Sequence, residues 1–600
     1  MNQQPKLTSH RQRLTALRGQ IQKRGLDGFI VPLADEHLSE YVAPYAQRLA
    51  WLTGFLGSAG TAVVLADQAA VFVDGRYTIQ VRQEVDADLF TPQEVPALMP
   101  VDWLRRQAKA GARIGYDPWL HSAQWLARAR EKLAGPGIAL VAVTDNPIDA
   151  IWHDRPAPPD APAYPLPLAY SGRPHGEKLA AMARELADDD ADAVVLSALD
   201  SIAWTFNIRG SDVAHTPVAM AFAIVHRDQS AELFIDPAKQ GPALAAHLGT
   251  MVGLRARDQF VPALKQLGAA AAKVRVDPAS TVAAIVETLE QAGAQLRKGR
   301  DPAVLPKACK NPVEQQGMRQ AHIRDGAALC DFLAWFAHTA PQGGLTEIDA
   351  ADALLAHRQK QDLFRDLSFR TIAAAGPHGA ITHYSVSPAS NIAIEPGSLF
   401  LLDSGGQYLD GTTDVTRTIA VGPAPDEARR NFTLVLKGHI ALARARFPAG
   451  TSGQALDSFA RAPLWRAGLD FDHGTGHGVG SFLGVHEGPQ RIGKAGSDEA
   501  LKPGMVLSNE PGYYKADHYG IRIENLVMVV DQPQPGDERP MLALETLTLA
   551  PIDRALIDPA LLDADEKAWL DRYHARVRDV LTPLVTAETA AWLADACAPL

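Results

Sequence analysis

The N-terminal half of the chain is written twice. LTALRGQIQKRGLDGFIVPLADEHLSEYVAP, with the WLTGF that follows it, returns as LAAMARELADDDADAVVLSALDSIAWTFNIRG. GTAVVLADQAAVFVDGRY returns as AMAFAIVHRDQSAELFIDPA, and IGYDPWLHSAQWLARAREKLAG returns as VRVDPASTVAAIVETLEQAG. Three matched blocks in one order, offset by roughly 160 residues, mark a duplicated domain; a solenoid would repeat every 20–50 residues or so. Each copy mixes short apolar strands with amphipathic helices; Leu14, Leu17 and Ile21, for example, share one helical face ahead of the strand GFIVP. The expectation is two similar α/β domains in tandem, residues 1–153 and 169–305. Between them DRPAPPDAPAYPLPL, residues 154–168, holds six prolines and reads as a semi-rigid linker rather than a folded element. The run Asp188 to Asp190 reads as a solvated helix end.

Six hundred residues exceed what two such domains need. A second boundary falls at DPAVLPKACKNP, and a third domain, 306–545, opens with the helix VEQQGMRQAHIRDGAALCDFLAWF. A helical extension covers 546–600. The formal charge of −11, with no long Lys/Arg run, argues against a nucleic-acid partner. No apolar run reaches the ~18 residues of a membrane span, and MNQQPKLTSHRQRL lacks the apolar core of a signal peptide. Cys309, Cys330 and Cys597 are scattered and form no CxxC, which suits a reducing cytoplasm.

The third domain carries the chemistry. In LLDSGGQYLDGTTDVTRT, Leu401 to Thr418, an apolar run delivers Asp403 and a Thr/Val-rich segment carries Asp414. Two antiparallel strands joined by a loop would aim both carboxylates at one spot, where divalent cations relieve their repulsion. An aspartate capping a turn and another on a solvated strand face would read the same way, so the rest of the chain decides. Three further residues fall into line. His477 sits among glycines in HGTGHGVG, Glu510 ends the apolar strand GMVLSNEPG, and Glu524 interrupts the apolar strand GIRIENLVMVV. An acidic residue within such a run is expensive unless paired or bound to a cation. One histidine and four carboxylates can serve two metals, and four carboxylates against two divalent cations sum to zero charge. Such a set favours a hard ion such as Mn(II), with zinc and cobalt staying open.

The order Asp, Asp, His, Glu, Glu with these flanks resembles the pita-bread metallopeptidases, a group that includes methionine aminopeptidase, prolidase and aminopeptidase P. GAITHY, DGTTDVTRT, HGTGHGVGSFLGVHEGP, EPGYY and GIRIEN are similar to the Xaa-Pro aminopeptidase branch. SEYVAP, GFLGSAGTA, DGRY, WTFNIRGSDV, KNPVEQQGMRQAHIRDG and DSFARAPLW extend the resemblance to its long, three-domain form.

The resemblance implies two creatinase-type α/β domains followed by an α+β pita-bread catalytic domain. It implies a dinuclear enzyme that removes the residue before a penultimate proline. Asp403 would chelate one metal, His477 and Glu510 the other, and Asp414 and Glu524 would bridge both. His383 and His486 would bind substrate and the developing oxyanion, with Glu510 moving the proton. Arg522 matches an active-site arginine, Tyr514 and Val485 match positions that line the proline pocket in the family, and Arg76 matches an arginine of the first domain that reaches substrate in the long form. A homodimer through the third domain is expected too, with Trp569, Leu570, Tyr573 and Val577 as apolar residues on the tail. The nearest alternative is prolidase, which cuts Xaa-Pro dipeptides. A non-enzymatic reading, like the histone-chaperone relatives that lost their metal ligands, is opposed by the presence of all five ligand positions.

Overall fold

The structure is a computed structural model in which residues 7–495 and 499–600 are described. Residues 1–6, part of the N-terminal stretch without a signal-like core, and residues 496–498 lie outside the description. The chain forms two compact units. One takes in the chain through Leu166, Arg173–Ala214 and Val218–Ala303; the other takes Pro167–Gly172, His215–Pro217 and Val304–Leu600. Among the described residues no helix is long and apolar enough to cross a membrane.

The first unit holds the duplication. Its first repeat forms one sheet from β1 (Gly28–Pro32), β2 (Thr61–Leu65), β3 (Ala69–Val73), β4 (Thr91–Glu94), β5 (Arg113–Tyr116) and β6 (Ala139–Ala142), in the order β4-β3-β2-β1-β5-β6. The second repeat contributes β7 (Ala193–Leu196), β8 (Ala221–His226), β9 (Ala231–Ile235), β10 (Val252–Arg255), β11 (Lys273–Val276) and β12 (Gln295–Lys298), in the order β10-β9-β8-β7-β11-β12. The senses match as well: β1–β2 and β7–β8 are antiparallel, while β1–β5 and β7–β11 are parallel. The central strands are apolar throughout because both faces are covered. Phe29, Val31, Val64 and Val71 enter one core, and Ile30, Val63, Ala70 and Phe72 enter another on the opposite face, as a two-residue side-chain period requires.

The two repeats dock on each other. His37 Nδ1 lies 2.9 Å from the Ser197 carbonyl, and Arg257 pairs with Glu36 at 2.5 Å. One expectation needs correction. The proline-rich stretch is not wholly unstructured: Tyr164–Pro165 pairs antiparallel with Ile208–Arg209, because an edge pairing tolerates a residue without an N–H. The acidic run is the exposed end of the helix His175–Asp188, as expected, with Asp189 and Asp190 ion-paired to Arg275 and Lys273.

In the second unit the helix Pro312–Thr339 is started by a capping box between Asn311 and Glu314. Leu399–Ser404 is the central strand of a three-stranded sheet, between Ile372–Ala375 and Val415–Ala420. A six-stranded sheet runs in the order Arg446–Pro448, Met541–Thr546, Asn525–Asp531, Val506–Asn509, Gly476–Gly478, Glu487–Ile492. The helices Asp426–Ala443 and Gly453–Arg466 pack together, and Ala564–Leu581 and Ala587–Ala596 close the chain. The tail's apolar residues turn inward. Leu570 and Val577 are fully buried, Tyr573 is buried with its hydroxyl on the Ala550 carbonyl, and Trp569 stacks on Tyr573. Those side chains are used within their own domain and give no support to a dimer.

Candidate metal centre

Asp403 lies on the Leu399–Ser404 strand opposite Thr416, and Asp414 immediately precedes the partner strand Val415–Ala420. The pairing expected from the sequence is therefore present. The connection is more than a loop, since Gly406–Tyr408 is the middle strand of a small sheet, pairing with Gly411–Thr412 on one side and Phe364–Leu367 on the other.

Glu524 is placed differently from expectation. GIRIENLVMVV is two strands rather than one: Tyr519–Arg522 pairs with Gly512–Lys515, and Asn525–Asp531 joins the six-stranded sheet. Glu524 sits at the break. Its N–H donates to the Thr416 carbonyl (3.2 Å), and its Oε2 accepts from Thr416 Oγ1 (2.7 Å). A residue at a junction between sheets can aim its side chain where neither ladder would.

His477 comes from the strand Gly476–Gly478. A Cβ at Gly476 would stand 2.0 Å from the Ser508 carbonyl oxygen, so only glycine lets the two backbones approach this closely. That approach sets His477 over Glu510. Ser508 Oγ accepts from the His477 N–H (2.9 Å) and donates to Glu510 Oε1 (3.1 Å). His477 Nε2 then lies 3.5 Å from Asp414 Oδ2 and 3.6 Å from Glu510 Oε1. Asp414, His477 and Glu524 each present a ligand atom, all within 4.8 Å of one another.

The electrostatics suit cations. Burial and then the neighbouring Asp403 and Glu510 push the Asp414 carboxyl up to about 6, against the pull of His477. Burial, Asp414, Asp403 and Glu510 hold the Glu524 carboxyl far above the usual range. Burial alone would lower the His477 imidazole, but Asp414 and Glu510 outweigh it and raise it to about 9. Asp403 Oδ2 accepts from Arg522 Nη2 (2.6 Å), while its buried Oδ1 has no hydrogen-bond partner. A buried, unpartnered carboxylate oxygen beside mutually repelling acids is a site that divalent cations would satisfy. The donor set fits the expected metals.

The remaining residues sort as follows. The His486 ring meets the His477 ring edge-on, with centroids 4.3 Å apart, and Val485 beside it is buried. Tyr514 OH accepts from Arg522 Nη1 (2.7 Å), and burial pushes this phenol up to about 12. His383 is half-buried in the segment after Gly376–Ala380, and Arg76 belongs to the other unit, where it forms a bidentate pair with Asp74.

Three participants were missed in the sequence. Thr416 and Ser508 each stand two residues from a carboxylate, Asp414 and Glu510, and the two-residue strand period puts such pairs on one face. His473 was the other. Its Nδ1 lies 2.7 Å from the Gly474 carbonyl, which leaves Nε2 to accept from Tyr514 OH at 2.8 Å.

Residues 316–531 match the family model for Metallopeptidase family M24, and 540–600 that for the C-terminal region of peptidase_M24. Residues 13–151 and 154–314 each match a Creatinase/Prolidase N-terminal domain. The chain is 42% identical over 605 residues to a probable Xaa-Pro aminopeptidase P of Aspergillus fumigatus, covering 98% of this chain and 92% of that one. The chain belongs to metallopeptidase family M24. Another relative is aminopeptidase P2 of Arabidopsis thaliana, 40% identical, with 96% of this chain and 86% of that one covered. A crystal structure of X-prolyl aminopeptidase from Caenorhabditis elegans superposes with a TM-score of 0.95 at 35% identity, over 99% of this chain and all of that one. That protein is described as a cytosolic enzyme with a di-nuclear active site. The fold read from the sequence, two creatinase-type domains ahead of an M24 catalytic domain, is the one found.

Proposed function

We propose that this chain is a dinuclear metal-dependent aminopeptidase that removes the N-terminal residue from peptides with proline in second position. The observation that carries the reading is the full-length likeness to an X-prolyl aminopeptidase with a di-nuclear site, coinciding with a buried acid–histidine cluster. Asp403 would hold one ion, His477 and Glu510 the other, and Asp414 and Glu524 both. Mn(II) is the ion this carboxylate-rich set suits best. Bound divalent ions supply an acidified water and a Lewis acid for the scissile carbonyl.

The chain's own residues do the rest. Glu510 takes the proton of the attacking water and passes it to the departing proline nitrogen. His486 donates to the carbonyl oxygen as charge gathers there, and His383 helps hold the substrate. An Xaa-Pro bond has no N–H, so a grip on the extended backbone ladder fails and a ring pocket supplies selectivity instead. Val485 and Tyr514 line that pocket, with Arg522 behind Tyr514. Arg76 serves the peptide beyond the proline, where a guanidinium suits a carbonyl or terminal carboxylate. Likeness to a protein described as a cytosolic enzyme supports a cytoplasmic setting, and the homodimer is carried over from the family resemblance, without the tail's side chains.

The test is product analysis on Arg-Pro-Pro and on an Xaa-Pro dipeptide, with and without Mn(II). Release of arginine from the tripeptide, dependent on metal, is expected. Cleavage of the dipeptide alone would make the chain a prolidase, and metal-independent cleavage would overturn the site.

A further inference from the structure

Glu347 has no role assigned so far. It is the first residue of the helix Glu347–Arg358, where the helix dipole favours a carboxylate. Its side chain is fully buried, which is costly for a charge unless hydrogen bonds replace the lost water. Four donors do so. Oε1 accepts from the Ala375 N–H (2.8 Å) and from His378 Nδ1 (2.8 Å). Oε2 accepts from Tyr384 OH (2.9 Å) and, at 3.4 Å, from the Ile392 N–H. All four belong to one stretch, residues 375–392, and His383 lies inside it.

That stretch has little else to order it. From Ile381 to Ser398 it forms no helix or strand, apart from an isolated bridge between Ala393 and Thr346, so no ladder sets where His383 sits. It leaves the strand Ile372–Ala375, whose Ile372 faces Asp403 in register. The turn Gly376–Ala380 then rests on the strand Tyr519–Arg522, where a Cβ on Gly520 would stand 1.7 Å from the Gly379 carbonyl oxygen. The stretch therefore starts beside the two elements that supply Asp403 and Arg522. Tyr384 ties His383 to this frame. Its ring is buried and stacks on His378, with centroids 4.4 Å apart. Burial raises the phenol, against Ser390 and with Glu347, so it stays a donor. An ionised carboxylate only accepts, which matches four donors; a glutamine would turn an NH2 group toward some of them.

We propose that Glu347 and Tyr384 are positioning residues for His383. The buried carboxylate gathers residues 375–392 at the start of its helix, and Tyr384 passes that fixed point to the adjacent imidazole. The inference rests on the aminopeptidase reading above and adds to it the residues that hold His383 in place.

The experiment uses Glu347→Gln and Tyr384→Phe in the full chain reconstituted with Mn(II), each made alone and in the His383→Ala background. It reads kcat/KM on Arg-Pro-Pro, metal per chain and Tm. Alone, each substitution is expected to lower kcat/KM about tenfold or more with metal unchanged, as a displaced substrate-binding group does. On top of His383→Ala, each is expected to change kcat/KM by less than about twofold, because the group they position is gone. An unchanged kcat/KM in the single variants overturns the proposal. So does an equal fall in both backgrounds, or a fall only in step with lost metal or lost folded protein; either would make Glu347 a structural staple. Tyr384→Phe removes one oxygen and keeps the ring, so it decides the matter if Glu347→Gln does not fold. A wild-type chain inactive on every Xaa-Pro peptide would instead sink the aminopeptidase reading. There, or where His383→Ala is too slow to measure, the placement is judged from the imidazole NMR signals of His383. Signals shifted by Tyr384→Phe are expected, and signals unmoved would overturn it.

Discussion

Gly438 lies inside the helix Asp426–Ala443, where alanine is ordinarily the better residue by about 1 kcal/mol. At this position the opposite sign is expected. A Cβ on Gly438 would stand 2.0 Å from the Ala460 carbonyl oxygen, 2.9 Å from its carbonyl carbon and 3.2 Å from its Cα. Real Cβ contacts essentially never fall under 3.0 Å, so the helix Gly453–Arg466 must retreat by 1.0 Å or more, the difference between 3.0 and 2.0 Å. The opposing atoms are backbone and cannot rotate away. Overpacking of this kind costs about 1–3 kcal/mol, which outweighs the propensity gain. The retreat also reaches the site. Ala460 precedes Arg461, whose buried guanidinium donates to Asp457 (2.7 Å), to the Phe471 carbonyl (2.7 Å) and to the His473 carbonyl (2.8 Å). Asp457 in turn accepts from Thr475 Oγ1 at 2.5 Å. Moving that helix drags the segment that delivers His477, and a misplacement of about 1 Å can cost about 10²-fold in rate. Gly438→Ala, assayed by thermal unfolding, metal content and kcat/KM, is expected to lose a few degrees in Tm and ten- to a hundredfold or so in activity. A variant with raised Tm and wild-type turnover would refute the close crossing and leave helix propensity in charge.

If Asp414 serves both ions as proposed, Asp414→Asn is expected to abolish peptidase activity in a protein that still folds, because an amide cannot replace the bridging carboxylate; near-normal turnover would remove Asp414 from the metal set. His486→Ala is expected to lower kcat by on the order of 10²–10³ while metal per chain holds, as loss of a single oxyanion donor does; loss of metal would make His486 a ligand. His574 predicts acid sensitivity. Burial, with Arg417 and Arg554 nearby, lowers its imidazole to about 3, and its Nε2 accepts the Ile552 N–H at 3.0 Å. The folded state therefore keeps this ring neutral while the unfolded chain protonates it below about 6.5. Its contribution is fully present above that pH and is lost as pH falls toward 3, with about 2 kcal/mol gone by pH 5. Denaturant unfolding at pH 7 and pH 5 checks this, and the difference is expected to shrink in His574→Gln.

Much of this was legible in the chain. The duplication predicted two like domains, and β1–β6 and β7–β12 repeat one topology strand for strand. Asp403, Asp414, His477, Glu510 and Glu524 could be picked out because charged residues in apolar strand ends are costly and need a reason. The layer beneath them was not legible. Thr416 and Ser508 share a face with their carboxylates, yet a two-residue period only says which face, not that the hydroxyl meets Glu524 from another sheet. The break at Glu524 was hidden because both flanks, GIRI and NLVMVV, are equally good strands; the change of partner depends on which neighbours the rest of the fold supplies. The Arg522–Asp403 contact joins residues 119 positions apart, and composition carries no trace of who pairs with whom.

Arg417 shows why the C-terminal extension belongs with the catalytic domain. The guanidinium is buried and has no carboxylate among its hydrogen-bond partners, so its charge is compensated by oxygens alone. Its Nη1 donates to the Glu524 carbonyl at 2.7 Å, on the residue that completes the acid cluster. Its Nε donates to the Pro551 carbonyl (2.9 Å), and its Nη2 to the Ala550 carbonyl (2.8 Å) and Tyr573 OH (2.9 Å), all in or beyond the start of the extension. A free arginine side chain would wander; here acceptors from four stretches of chain fix it. The tail's apolar helix supplies the packing that keeps Tyr573 and the Ala550–Pro551 carbonyls in place. The extension thus acts on the site through the backbone of Glu524 rather than by contributing a catalytic group, which a reading of its apolar residues as an exposed interface would have concealed.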